Sequence, residues 1–185
     1  MVYYKCIWFS DVLQKEKHLN ITLLCTPRSA GNFYTGVLAK KYNIPDLGEY
    51  LHGLEIDEYL PLVHNMPAGV HKISPKSIDQ TSLNFILANS DKNYFLIRQD
   101  KEAQLRSFFC ARYRSRDFAD GDDTGGIIDI TVSSADADIY RERFLLADEL
   151  IRSYAERYAG KIKYTEDIVK DNYEPYTQKY NFTII

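Results

Sequence analysis

The apolar positions of this chain alternate between short continuous runs and helical spacing. The run Ile-Thr-Leu-Leu-Cys from Ile21 reads as a buried strand that breaks at Pro27, and helix formers follow Gly31 to about Tyr42. Residues 43–48 read as a loop leading to the start of a short helix at 49–52. The turn-rich stretch 65–69 introduces a strand over 70–74, stopped by Pro75. Ser77, with Gln80 three residues later, has the pattern of a capping box. Ile78, Leu83, Ile86 and Leu87 then form a helical apolar face ending near Asn89. Tyr-Phe-Leu-Ile at 94–97 is a second buried strand, with Arg98 at its C-terminal end. An amphipathic helix over about 101–113 carries Ala103, Leu105, Phe108 and Phe109. Ser133 or Ser134 caps a long helix to Tyr158, with Ile139, Leu146, Leu150, Ile151 and Tyr154 as its buried stripe and Gly160 closing it. Residues 161–164 form a further strand leading into 165–169. A short strand at 2–9 and an edge strand at 181–185 lie toward the ends.

Strands alternating with helices predict an α/β fold, a mainly parallel sheet covered on both faces in three α/β/α layers. The length of 185 residues fits a single domain over 1–185. Ligands of such sheets bind beyond the C-terminal strand ends, where this layout brings Arg28, Lys72 and Arg98 to one rim. Three separated cations at one edge favour a ligand with several negative charges.

The linker between the first strand and helix, Thr26-Pro27-Arg28-Ser29-Ala30-Gly31-Asn32-Phe33, has the chemistry of an anion site. A helix start leaves backbone N–H groups unpaired, and the helix dipole adds partial positive charge there. Gly31 allows close approach, Ser29 offers a hydroxyl and Arg28 a permanent charge with planar donors. No Gly-Lys-Ser/Thr follows, so the loop lacks the lysine and metal-binding hydroxyl of a nucleotide triphosphatase loop. It suits an anion held without an obligatory metal.

Composition narrows the field. A net charge of −3 argues against nucleic-acid and anionic-membrane partners. Cys6, Cys25 and Cys110 have no C-x-x-C spacing, which fits reduced thiols in a cytoplasmic protein, with Cys25 in the core. No charged-then-apolar leader opens the chain, and no apolar run approaches the ~18 residues needed to cross a bilayer. Asp120, Asp122 and Gly125 match places of a calcium-binding hand. Thr131 stands where a bidentate glutamate is required, so no metal is expected. His52 and His71 have no expected role, and Arg112, Arg114 and Arg116 read as an exposed helix end.

The ordered set Thr26-Pro27-Arg28-Ser29-Ala30-Gly31, then Phe-Leu-Ile-Arg98-Gln-Asp, then Ser107 nine residues on, resembles the sulfotransferase family. Leu47-Gly48-Glu49-Tyr50-Leu51 is similar to the Gly-Glu segment of small bacterial carbohydrate sulfotransferases. Tyr164-Thr165-Glu166-Asp167-Ile168-Val169 is similar to that family's late Y-E-D-L strand end. The resemblance implies a P-loop nucleotide-hydrolase-like sulfotransferase fold and the donor 3′-phosphoadenosine 5′-phosphosulfate (PAPS). It also implies a small-molecule or carbohydrate acceptor. It assigns the 5′-phosphosulfate to Arg28, Ser29, Ala30, Gly31, Asn32 and Phe33, and the 3′-phosphate to Arg98 and Ser107. Glu49 would be the general base and Lys72 would neutralise the bridging oxygen, with Arg28 stabilising the moving group.

The chain departs from the family in three places. Ala30 replaces the usual glycine, Ser74 stands where cytosolic members carry a histidine after Lys-x, and the C-terminal Arg-Lys-Gly is absent. Two other readings of the same loop remain open, a non-catalytic nucleotide- or anion-binding module and a small P-loop-type kinase.

Overall fold

In the computed structural model of the protein, residues 19–51, 53–117, 128–169 and 180–185 are described. In chain order these form β1 (Asn20–Cys25), α1 (Gly31–Tyr42), β2 (Asp46–Gly48), α2 (Ile56–His64), β3 (Gly69–Ile73), α3 (Gln80–Asn89) and β4 (Lys92–Ile97). There follow α4 (Lys101–Asp117), β5 (Ile128–Val132), α5 (Ser134–Arg157), β6 (Ile162–Tyr164), α6 (Thr165–Ile168) and β7 (Tyr180–Ile184).

Five strands make one sheet in the order β2-β3-β1-β4-β6, every pairing parallel. β1 is central because both of its faces are covered: Ile21, Leu23 and Leu24 are fully buried, which explains its unbroken apolar run. Ile21, Leu23 and Cys25 pack with Val70 and Leu96 against Tyr34, Leu38 and Ala39 of α1. On the opposite face Leu24, Ile73, Phe95 and Ile97 meet Tyr59 and Val63 of α2, Leu83, Ile86 and Leu87 of α3, and Ile151, Tyr154 and Ala155 of α5. The chain steps outward from β1 to β2, returns through β3 and crosses β1 to reach β4. The direction of winding therefore reverses at β1, and in sheets of this kind ligands bind beyond the C-terminal end of the strand where it reverses.

Several elements differ from the sequence expectation. Within residues 43–48 lies β2, an edge strand too short to show alternation. Residues 49–51 form a turn, and the helix of this region starts at Ile56 instead, around Pro61. A Glu55–Glu58 capping box and the buried Tyr59 and Val63 offset the hydrogen bond that Pro61 removes. The α3 cap is Asp79, whose Oδ1 accepts from the N–H groups of Thr81 and Ser82, while Ser77 donates to Ser74 O in the preceding turn. A carboxylate is the stronger acceptor for these amides.

The first turns of α5 also present a different face from the one expected. Ile139 and Leu146 are 46% and 53% exposed, whereas Ala137, Phe144, Ala147 and Ala155 are buried, because alanines let the helix approach its neighbours closely. Ser133 is its N-cap. At its C-terminus Ala159, not Gly160, has positive φ; Gly160 is required because a Cβ there would lie 2.1 Å from the Phe95 ring. α4 runs on to Asp117. The expected edge strand at 181–185 is β7, which pairs in parallel with β5 in a separate two-stranded sheet. The strand expected at 2–9, Cys6, His52 and the Asp/Gly-rich residues 118–126 lie outside the described residues. Among the described residues no helix is long and apolar enough to cross a membrane.

Candidate functional site: the loop after the first strand

Pro27 ends β1, and the loop reaches α1 through two non-glycine residues in the left-handed region, Arg28 at φ 61° and Ala30 at φ 58°. Such conformations cost about 1–3 kcal/mol each unless surroundings hold them. Here five successive carbonyls are held. Thr26 O accepts from Ser29 Oγ at 2.6 Å, Pro27 O from Gln104 Nε2 at 2.7 Å and Arg28 O from Arg98 Nη1 at 3.4 Å. Ser29 O accepts from Thr165 Oγ1 at 2.8 Å, and Ala30 O takes the first helical bond, from Tyr34 N at 3.0 Å. With its carbonyls committed to the protein, the loop turns its N–H groups the other way, because the C=O and N–H of each trans peptide point in opposite directions. The Ala30 N-cap supplies no side-chain hydrogen bond to α1. The α1 N-terminus thus combines helix-start N–H groups, the positive end of the helix dipole and alternating backbone of the kind that forms anion-binding nests.

Ala30 stands in a left-handed conformation that a glycine would adopt without strain. Gly31 is fixed by packing instead: a Cβ there would lie 2.7 Å from Cys25 Sγ and 2.8 Å from Lys72 Cδ. Ser29 departs from its expected role. Its hydroxyl is buried and donates to Thr26 O, so an anion would meet only its backbone.

One stripe of α4 faces this loop at three-residue spacing. Lys101 donates to Arg98 O and, at 2.9 Å, to Gln104 Oε1, and pairs with Asp148 at 2.6 Å. Gln104, fully buried, spends both its N–H groups on Pro27 O and Thr26 Oγ1. Ser107 accepts from Arg28 Nε at 3.0 Å. Arg28, Ser107 and Arg98 therefore lie together, with Ser107 bonded to Arg28 and Arg98 reaching the Arg28 carbonyl. Glu166 accepts from the N–H groups of Gln99 and Asp100 and so fixes the β4–α4 turn. Burial raises the Asp148 carboxyl above its ordinary range, opposed by Lys101.

At the other end, Lys72 pairs with Glu49 at 2.7 Å and also donates to Asn32 Oδ1. The ammonium lies mostly out of solvent, the carboxylate less so. Burial pushes the Cys25 thiol up to about 11, against the pull of Lys72, so it is a neutral packing group. His71 faces the opposite side of β3: its Nε2 donates to Pro67 O, its ring meets Tyr50 edge-on, and burial lowers its pKa. The side chains of Arg114 and Arg116 lie outside the description, and Arg112 donates to Tyr140 on the far side of α4.

Thus Arg28, Asn32, Glu49, Lys72, Arg98 and Ser107 gather around the loop. Gln104, Lys101 and Thr165 complete its support and were not singled out from sequence. The signal available for them was the three-residue spacing of Lys101, Gln104 and Ser107, and the place of Thr165 directly after β6.

Neither a family model nor a curated protein matches this chain. A solved structure described as an uncharacterized protein from Eubacterium ventriosum is similar at 14% identity and a TM-score of 0.32, over 91% of this chain and 89% of that one.

Proposed function

We propose that the protein is a sulfotransferase that moves a sulfuryl group from PAPS to a hydroxyl or amine of a small-molecule or carbohydrate acceptor, on a P-loop-like sulfotransferase fold. The observation that carries this reading is the commitment of all five carbonyls from Thr26 to Ala30 to protein donors, which leaves the N–H groups of residues 28–31 on the other side of their peptides, at the switch point of the sheet. The residues present fit the donor, which has two anionic ends. The loop amides with Arg28 and Lys72 suit one, and Arg98 with Ser107 suits the other.

When bound, the donor supplies an activated sulfuryl group whose bond to a phosphate oxygen breaks as the bond to the acceptor forms. The chain's own work is then electrostatic and acid–base. N–H groups at the start of α1 and the Arg28 guanidinium stabilise the charge that develops on the transferring group. Lys72 shifts from Glu49 toward the leaving phosphate oxygen and frees the carboxylate to take the acceptor proton.

Purified protein incubated with labelled PAPS and a panel of sugars, phenols and amines tests the reaction. Absence of transfer, together with no calorimetric binding of the product 3′-phosphoadenosine 5′-phosphate (PAP), rejects it. Arg28→Ala and Arg98→Ala weaken nucleotide binding on this reading, whereas Glu49→Gln spares binding and lowers turnover. The Lys72–Glu49 ion pair also favours a second reading, a nucleotide-binding module in which the pair stays closed. PAP binding without transfer to any acceptor selects that one. ATP binding in preference to PAPS would select a small kinase.

A further inference from the structure

Behind the loop runs a chain of polar groups that the proposed chemistry does not use. Asp148 of α5 holds Lys101; Lys101 spends its remaining donors on Arg98 O and Gln104 Oε1; and Gln104 spends both N–H groups on Thr26 Oγ1 and Pro27 O. Gln104 is fully buried, Asp148 is 6% exposed and Lys101 is mostly shielded. Buried polar chains of this kind are costly unless nearly every member is satisfied, and when satisfied they impose one geometry. Each link has one orientation. The Lys101 ammonium can only donate, so it fixes Oε1 of Gln104 toward itself and turns Nε2 toward the loop. On the loop side the Pro27 carbonyl can only accept, and the Thr26 hydroxyl accepts here.

We propose that Gln104, oriented by the Lys101–Asp148 pair, is the positioning residue that turns the Thr26–Pro27 backbone inward and thereby sets the outward N–H face of the anion loop. This rests on the anion-site reading for its consequence in binding, but its structural content is testable without any ligand. The three α4 residues Lys101, Gln104 and Ser107 then act as one stripe. The first orients, the second turns the backbone and the third holds the Arg28 guanidinium.

Gln104→Glu keeps the volume and the Lys101 contact but replaces the amide nitrogen and both its donors with a carboxylate oxygen that faces Thr26 Oγ1 and the Pro27 carbonyl. Amide hydrogen exchange at residues 28–31 is expected to accelerate about tenfold or more while exchange in β1 stays within about twofold, since loss of the two bonds at about 1 kcal/mol each amounts to roughly 30-fold. PAP affinity falls by a similar factor, whereas general destabilisation would raise exchange in β1 as well. Gln104→Met, lacking the added charge, is the companion variant. In the wild-type protein, NMR should show both Gln104 side-chain amide protons protected from exchange, a readout that needs no variant. The inference is overturned if those protons exchange at solvent rates, or if folded Gln104→Glu leaves loop exchange unchanged. Failure of wild-type protein to bind PAP would reject the functional reading instead and leave the exchange result standing.

Discussion

Gly31 offers a sharp probe because its replacement acts on both ends of the site through distances already fixed by the fold. An alanine Cβ would sit 2.7 Å from Cys25 Sγ and 2.8 Å from Lys72 Cδ, well inside van der Waals contact. Neither neighbour yields freely. Cys25 is buried within β1, and Lys72 is anchored at its tip by Glu49 and Asn32. Overpacking of this kind costs about 1–3 kcal/mol, while exchanging glycine for alanine at a helix start returns at most about 1 kcal/mol. With the full ~1 kcal/mol returned the net loss is up to about 2 kcal/mol, or a fall in melting temperature of up to about 8 °C for a chain of this size. Thermal unfolding by circular dichroism measures it. Because Lys72 must move, PAP affinity should fall as well. Cys25→Ala in the same background removes the sulfur from the clash, so the double mutant should lose less than the sum of the singles by at least about 0.5 kcal/mol. A Gly31→Ala protein with unchanged melting temperature and unchanged PAP affinity would refute the packing argument.

Three further outcomes are expected. Gly160→Ala places a methyl group 2.1 Å from the fully buried Phe95 ring and should cost at least about 2 kcal/mol in urea unfolding. Asp79→Ala removes the α3 cap and should cost about 1–2 kcal/mol at neutral pH. Hydrogen bonds from Ser82 and Tyr59 hold the Asp79 carboxyl at about 2, so its contribution is present above about pH 4 and disappears as the pH falls toward 2; unfolding at pH 7 and pH 2 should show the gap between wild type and variant closing. His71, whose pKa burial lowers, takes up its proton at lower pH in the fold than in the unfolded chain, which does so below about pH 6.5. Stability that is present above that pH is lost on acidification, and His71→Gln should flatten the fall in melting temperature between pH 7 and 5.5.

What could be read from sequence is what rests on local pattern. The continuous apolar runs of β1 and β4 mark strands buried on both faces, and the proline-to-glycine break at residues 27–31 marks the turn into α1. The rim of Arg28, Lys72 and Arg98 followed from the alternation of strands and helices alone. Three-residue β2 carries too little pattern to register, and Pro61 disguises α2. On α5 the small alanines face inward and larger Ile139 and Leu146 face out, an inversion that size alone does not signal. The supports of the site were hidden for a different reason. Gln104 meets Pro27 across 77 positions and Thr165 meets Ser29 across 136, so their partners exist only once the sheet has assembled. Ser29 shows the converse: its type suits an anion donor, but the tight loop turns its hydroxyl onto Thr26.

The central claim is that the loop from Thr26 to Phe33 is an anion cradle made of backbone donors. Titration of ¹⁵N-labelled protein with PAP, followed residue by residue, tests it most directly. The amide resonances of residues 28–33 should shift together and saturate, with those of Arg98 and Ser107, and Arg28→Ala should weaken the binding at least about tenfold. Resonances in the loop that stay still at millimolar PAP would contradict the claim. So would shifts confined to the cleft lined by Glu102, Ala103, Arg106, Phe182 and Ile184.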